Sequence, residues 1–151
     1  MPPAEHSHAT LIAIEDQGVL ITGPSGSGKT LLALHLYRRC RRAEISCTII
    51  ADDQVLLSKR GDALIGTAPK AIEDRIEIRG FGIAELPKGG ARQSPITLHV
   101  GLTDAAGVTR MWDGQTIDLD GVPLRTLSLS THQLEAAGNA ILSALGQPVW
   151  I

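Results

Sequence analysis

The sequence predicts an α/β domain built on a mixed β-sheet, and three observations support this fold class. A glycine-rich stretch at residues 23–30 lies between an apolar, strand-like run at residues 18–22 and good helix formers from residue 31 to 39. A second strand-like run at residues 9–15 precedes it, separated only by a tight turn at residues 16–18. So short a connection makes the two strands antiparallel, whereas a strand followed by a helix normally leads to parallel pairing.

The glycine-rich stretch fits the phosphate-loop pattern G-x-x-x-x-G-K-[ST] at every fixed position. Its glycines let the backbone curl so that successive N–H groups point at an anion, and the following helix adds its dipole. The alternative is a glycine-rich turn between two core elements, but the Lys-Thr pair and both flanks favour nucleotide phosphate binding. The predicted binding residues are Gly23, Pro24, Ser25, Gly26, Ser27, Gly28, Lys29 and Thr30.

Composition describes one ordinary globular domain. The 151 residues are 43% hydrophobic and 20% charged, with a formal net charge of −2. Without a basic excess we expect no nucleic-acid partner, and without a long apolar run we expect no membrane partner. Residues 1–7 are expected to be flexible and resemble no secretory signal, so the predicted location is the cytoplasm. The two cysteines, Cys40 and Cys47, are predicted to be free thiols.

The helix after the loop is predicted to end near Arg41, and an apolar strand follows at residues 46–51. That strand ends in Asp52-Asp53, an acidic pair at the position where P-loop proteins carry their Walker B carboxylate. Alternate residues of a strand point to opposite faces, so one carboxylate can face a nucleotide while the other meets a different neighbour. The alternative is a pair of aspartates that cap a turn or a helix.

Several shorter elements are predicted beyond this pair. Residues 54–58 and 63–67 read as a β-hairpin, and residues 70–75 as one helical turn. In residues 76–83, Glu77 and Arg79 fall on one face of an alternating strand. That pattern alone leaves open an exposed hairpin with a surface ion pair.

The C-terminal third carries weaker signals. Residues 86–95 have the composition of a flexible loop, which would either close over a substrate or lie at the surface. Strands are predicted at 96–102, near 109–112 and at 124–129. Thr131 is predicted to cap a last helix whose apolar face carries Leu134, Ala137, Ile141 and Leu145.

Four separated features together resemble the catalytic domain of HPr kinase/phosphorylase, in the short bacterial form that lacks the N-terminal domain. They are His8-Ala9 before the first strand, the hairpin and phosphate loop over residues 19–30, Asp52-Asp53 within residues 51–55, and residues 76–83 after Ala68-Pro69. The resemblance implies a P-loop domain similar to phosphoenolpyruvate carboxykinase. It also implies a homohexameric, Mg²⁺- and ATP-dependent serine kinase that acts on HPr, a small phosphocarrier protein.

The resemblance also implies roles for individual residues. Lys29 would polarise the transferred phosphate, and Thr30 and Glu77 would hold Mg²⁺. Asp53 would be the catalytic acid/base, with Asp52 as its support through a hydrogen bond to His8.

Two arginines complete the implied catalytic set. Arg79 would belong to the catalytic surround, and Arg110 would stabilise charge on the γ-phosphoryl group.

Two departures from the family pattern leave alternatives open. Thr30-Leu31 stands where the family usually has Ser-Glu, and the arginine-rich segment associated with dephosphorylation is absent. Dephosphorylation by phosphorolysis is therefore left open. The alternative functions are a P-loop kinase of a small molecule and a non-catalytic module that senses ATP.

Overall fold

The computed structural model describes residues 5–151. These residues form a β-rich α/β domain with two α-helices, α1 (Lys29–Arg42) and α2 (Leu134–Ala144). The strands are β1 (Glu5–Ser7), β2 (Ala9–Ile14), β3 (Gln17–Thr22), β4 (Cys47–Ala51), β5 (Val55–Arg60), β6 (Ala63–Thr67), β7 (Arg75–Ile78), β8 (Gly82–Glu85), β9 (Gln93–Leu102), β10 (Thr116–Leu119) and β11 (Val122–Leu129).

The main sheet is mixed, as predicted. Its strands run in the order β1-β5-β6-β9-β3-β2-β4, and β11, with β10 beside it, also pairs with β9. β9 runs parallel to β3 and to β11, whereas β2 and β3 form the predicted antiparallel hairpin, in register from Ala9–Thr22 to Ile14–Gln17. Because β3 and β9 are parallel, their C-terminal ends lie side by side, and the phosphate loop begins there.

Each face of the main sheet has its own apolar core. One face packs against both helices through side chains such as Leu32, Leu36, Ile141 and Leu142, all fully buried. The opposite face is closed by Leu11, Leu20, Leu64 and other aliphatic residues. Neither α-helix within residues 5–151 combines the length and the apolarity needed to cross a bilayer.

Both cysteines are free thiols, as predicted, and both join the helical core. A hydrogen bond with Cys40, together with burial, raises the pKa of the Cys47 thiol above its ordinary range. The same hydrogen bond lowers the pKa of the Cys40 thiol, whose side chain is fully buried in the core.

The first predicted segment differs from the structure in part. Residues 5–7, expected to be flexible, form β1 and pair with residues 55–57 of β5. Residues 1–4 lie outside the described residues. The predicted helical turn is shorter than expected, covering Lys70–Ile72, because Arg75 already pairs with Glu85 as the first residue of β7.

Two predictions in the C-terminal third are wrong. Residues 109–112 form no strand: they are exposed and contact β11 through the Trp112 indole, which donates a hydrogen bond to the Thr126 carbonyl, and the strand beside β11 is instead β10. Thr131 does not cap α2. The preceding Ser130 accepts a hydrogen bond from the His132 amide, and a 3-10 turn at Thr131–Gln133 leads into the helix.

The hairpin formed by β7 and β8 is a separate two-stranded sheet. It is anchored by Ile76, which is buried in the helical core, and by Leu86 just after it. The loop that follows lies against Thr48 near the start of β4, where the Ala91 amide donates to the Thr48 hydroxyl at 3.3 Å. Because Asp52 follows the C-terminal end of β4 and Thr48 lies near its N-terminal end, this loop lies at the end of β4 that is far from the acidic pair.

Candidate active site

The phosphate loop joins the end of β3 to the start of α1 and turns with glycines in the left-handed region. Gly26 has φ 80° and Gly28 has φ 98°, values that side-chain-bearing residues rarely adopt. Gly28 is the N-cap of α1, and no side chain caps the helix there. The first backbone N–H groups of α1 therefore face the loop, where the helix dipole favours an anion.

The Lys29 side chain lies inside the loop. The side chain is buried, and its Nζ donates to the Gly23 carbonyl at 2.9 Å and to the Pro24 carbonyl at 3.2 Å. These bonds span the loop from its last turn to its first residues. They hold an ammonium group at the place where the sequence pattern expects a phosphate contact.

Asp52 links three elements around the loop. It is 5% exposed, and its Oδ1 accepts hydrogen bonds from Thr30 Oγ1 at 2.6 Å and from Thr10 Oγ1 at 3.1 Å. Its Oδ2 accepts from the Glu77 amide at 3.2 Å. One buried carboxylate thus ties β2, the first turn of α1 and β7 together, and these hydrogen bonds meet the cost of burying it.

The neighbouring acid, Asp53, has a different environment. Its Oδ1 lies 2.6 Å from Nε2 of His8, and both side chains are about half exposed, at 56% and 55%. Its backbone is left-handed, with φ 69°. The expected partnership is corrected here: His8 contacts Asp53 directly and not through Asp52, which is committed to Thr10, Thr30 and Glu77.

The hairpin of β7 and β8 brings Arg79 to the phosphate loop. A Cβ placed on Gly26 would lie 3.4 Å from Nη2 of Arg79, so the guanidinium rests against the loop backbone. The Glu77 side chain is exposed on the same hairpin. Within residues 5–151 no ion pair joins Glu77 to Arg79, so the alternative of a surface ion pair on this hairpin is not observed.

Arg110 is not brought into contact with the other predicted residues. It lies in the exposed segment between a 3-10 turn at Ala105–Gly107 and β10. Over the part of the chain that the structure describes, it forms no hydrogen bond or ion pair with them. Trp112, two residues further on, is held by the Thr126 carbonyl, so the segment itself is anchored.

Sequence reasoning missed two hydroxyl groups at this site. Thr10 is fully buried in β2 and donates to Asp52, and Thr131 donates to the Ser27 carbonyl of the loop at 2.6 Å. The Thr10 contact has a faint signal, because a polar residue inside an apolar strand requires a partner. Nothing local in the sequence signals the Thr131 contact, which joins residues 104 positions apart.

A histidine lies beneath the loop, on the side of the sheet away from the helices. Nε2 of His99 is 2.7 Å from Thr22 Oγ1, and its Nδ1 is 2.7 Å from Thr126 Oγ1. The imidazole on β9 therefore bridges β3 and β11. Burial lowers the pKa of His99 below its ordinary value of 6.5. The neutral imidazole therefore supports the strand end from which the loop departs.

The donors around the loop are oxygen atoms. Among the described residues, no group of three or more His, Cys, Asp or Glu side chains is close enough to hold a metal ion. The Thr30 hydroxyl, the Asp52 carboxylate bonded to it and the carboxylate of Glu77, whose backbone amide contacts Asp52, are nevertheless hard ligands of the type that Mg²⁺ uses together with nucleotide phosphates.

A cavity of about 400 Å³ lies elsewhere, between the two helices and the last residues of the chain. Arg39 on its wall is buried and donates to the carbonyls of Val149 and Ile151. Burial lowers the pKa of the neighbouring His35. Because it borders the last turns of α1, this cavity is separate from the phosphate loop at the first turn.

A strand, a glycine loop, an uncapped helix and a buried acid bonded to the loop threonine define a phosphate-binding domain of the P-loop class. Residues 1–104 match the model of the HPr Serine kinase C-terminal domain family. The chain belongs to that family, as the sequence motifs indicated.

Individual relatives agree with this family. The chain is 42% identical over 87 residues to an HPr kinase/phosphorylase of Limosilactobacillus reuteri. The aligned segment covers 57% of this chain and 25% of the relative. It is 36% identical over 136 residues to an HPr kinase/phosphorylase of an Exiguobacterium species, covering 85% of this chain and 40% of the relative. The chain thus spans about a quarter to two fifths of the length of these curated relatives.

A solved structure confirms the fold. The Hpr(Ser) kinase/phosphatase from Coxiella burnetii superposes with a TM-score of 0.79 over 93% of this chain and 96% of that one, at 24% identity. The agreement over nearly the whole of both chains confirms the predicted mixed α/β fold class.

Proposed function

We propose that this chain is a Mg²⁺- and ATP-dependent protein kinase that phosphorylates a serine of HPr. The observation that carries the proposal is the His8–Asp53 pair beside a complete phosphate loop. A loop that only binds a nucleotide has no use for a solvent-accessible carboxylate oriented by an imidazole. A phosphotransferase needs such a group to accept the proton of its substrate hydroxyl.

The loop residues would bind and orient the donor. The free N–H groups at the start of α1 and the Lys29 ammonium would contact the β- and γ-phosphates, with Lys29 exchanging its bonds to Gly23 and Pro24 for phosphate oxygens. Thr30 and Glu77 would hold Mg²⁺, with Asp52 orienting the Thr30 hydroxyl. Bound there, Mg²⁺ supplies neutralisation of phosphate charge.

Asp53 would act on the acceptor. As the serine oxygen bonds to the γ-phosphorus and the bond to ADP breaks, the serine proton passes to Asp53. His8, at 2.6 Å, would fix the orientation of the carboxylate. Arg79, resting on the loop at Gly26, would offset the charge on the transferring group.

The remaining partners follow from the family resemblance. HPr is proposed as the protein substrate, the cytoplasm as the location, and a homohexamer as the assembly. Arg110 is proposed, from the resemblance alone, to stabilise charge on the γ-phosphoryl group.

The direct test is incubation of the protein with HPr and Mg²⁺·ATP labelled at the γ-phosphate. We expect an alkali-labile phosphoserine on HPr, which the Lys29→Ala variant fails to produce. Labelling of a small metabolite in place of HPr would favour a small-molecule kinase. Turnover no higher than that of Lys29→Ala would favour an ATP-sensing module. Adding phosphate to phosphorylated HPr tests for phosphorolysis.

A further inference from the structure

The first turn after β11 contacts the phosphate loop from outside. Thr131 begins the 3-10 turn at Thr131–Gln133, and its Oγ1 donates to the Ser27 carbonyl at 2.6 Å. This is a side-chain bond to the peptide group that enters α1. No motif or implied family role accounts for it.

The bond constrains a single peptide plane. In a trans peptide the C=O of one residue and the N–H of the next point in opposite directions. With the Ser27 carbonyl turned out toward Thr131, the Gly28 N–H points the other way. That direction is the interior of the loop, which the Lys29 side chain spans to reach the Gly23 carbonyl.

Gly28 provides the second observation. A Cβ at Gly28 would lie 2.7 Å from Thr131 Oγ1, 2.8 Å from its Cγ2 and 2.9 Å from its Cβ. Thr131 therefore packs directly on the Cα of Gly28, and any larger residue at position 28 would push it away. Gly28 therefore has two structural roles: it adopts a left-handed backbone conformation, and its missing side chain leaves space for Thr131.

Thr131 itself is firmly held. The Ser130 hydroxyl, next to it in the chain, accepts a hydrogen bond from the His132 amide. Helix α2, which follows, is held in the core by Ile141 and Leu142. The Glu135 carboxylate lies 3.5 Å from His35 and 3.7 Å from Arg39, both on α1. The hydroxyl is therefore presented from a rigid support and can resist rotation of the peptide.

We propose that Thr131 is a positioning residue for phosphate binding: it locks the Ser27–Gly28 peptide with the Gly28 N–H directed at the phosphates of the bound nucleotide. The inference rests on the proposed function only in requiring that the loop binds phosphates. It does not depend on which acceptor receives the phosphoryl group.

Calorimetric titration with Mg²⁺·ATP and with inorganic pyrophosphate tests this role. Thr131→Val keeps the shape but removes the donor, so both affinities should fall by about the same factor, roughly tenfold for one such hydrogen bond. Thr131→Ser keeps the donor and should restore both affinities to within about twofold. Ser143→Ala on α2, which removes a helical side-chain bond to Asn139, is the matched control.

A structural readout separates positioning from general destabilisation. The ¹⁵N–¹H resonance of Gly28 should shift on pyrophosphate binding in the wild-type chain and in Thr131→Ser, and shift less in Thr131→Val. If Thr131→Val fails to fold, Thr131→Ala should show the same selective loss. Wild-type affinities in a folded Thr131→Val variant would overturn this inference alone. Failure of the wild-type chain to bind either ligand would overturn the proposed function as well.

Discussion

Nε2 of His8 and Oδ1 of Asp53 lie 2.6 Å apart, although His8 precedes β2 and Asp53 follows β4, with β3 and α1 between them in the chain. β2 and β4 pair antiparallel, so the start of one lies beside the end of the other. The pair is therefore a product of sheet register, and it sits next to the buried Asp52, which binds the loop threonine.

Replacing the exposed acid tests the proposed base. Asp53→Asn should lower the rate of HPr phosphorylation by about 10²- to 10⁴-fold, the usual contribution of a general base, while ATP affinity stays close to that of the wild-type chain. Asp62→Asn, in the exposed turn between β5 and β6, is the control and should keep full activity. Full kcat in Asp53→Asn would remove Asp53 from the mechanism.

The imidazole has a smaller predicted effect. His8→Leu should reduce kcat by roughly ten- to a hundredfold, because the hydrogen bond that orients the carboxylate is lost. KM for ATP should be unchanged, since His8 touches Asp53 and not the loop. Steady-state kinetics on this variant and on His132→Leu, which replaces an exposed histidine, make the comparison. Equal kcat values in both variants would contradict the orienting role.

The buried acid is predicted to affect stability as well as binding. Asp52→Asn retains one acceptor oxygen for three donors, so at least one of Thr10, Thr30 and the Glu77 amide loses its partner. We expect the free energy of unfolding to fall by about 1–3 kcal/mol. Urea denaturation measures this loss, and isothermal titration should show weaker Mg²⁺·ATP binding. An unfolding free energy equal to that of Asp62→Asn would disprove the linking role of Asp52.

Burial of His99 predicts a dependence of stability on pH. Its folded pKa lies below 6.5, so below about pH 6.5 the unfolded chain takes up a proton that the folded chain does not. The contribution of His99 is therefore fully present above pH 6.5 and is lost as the pH falls toward its folded pKa. His35, whose pKa is also lowered by burial, acts in the same direction.

Thermal unfolding between pH 7.5 and 5 measures this effect. The wild-type chain should lose melting temperature on acidification, and His99→Gln should lose less over the same interval although it starts lower. Identical slopes in the two proteins would show that His99 is not the titrating group.

Local sequence was sufficient for the phosphate loop, the helix after it and the hairpin before it. Each depends on contacts between near neighbours in the chain: glycines at 26 and 28 that allow positive φ, a turn too short for parallel pairing, and a run of helix formers. The acidic pair was also visible, because an apolar strand that ends in two acids is unusual beside such a loop. These motifs together carried the resemblance to the family that the family model then matched.

Only the tertiary structure decided which partner each side chain received. The sequence resemblance predicted a hydrogen bond between His8 and Asp52. The antiparallel register of β2 and β4 instead brings His8 into contact with Asp53, whose backbone is left-handed. Residues 109–112 have the pattern of a strand, yet they contact β11 through the Trp112 indole, and the backbone partner of β11 is β10. Thr131 meets the loop across 104 residues. Local pattern fixes the conformation of a segment, whereas packing of distant segments determines which polar groups are satisfied, and this site is built from such long-range pairs.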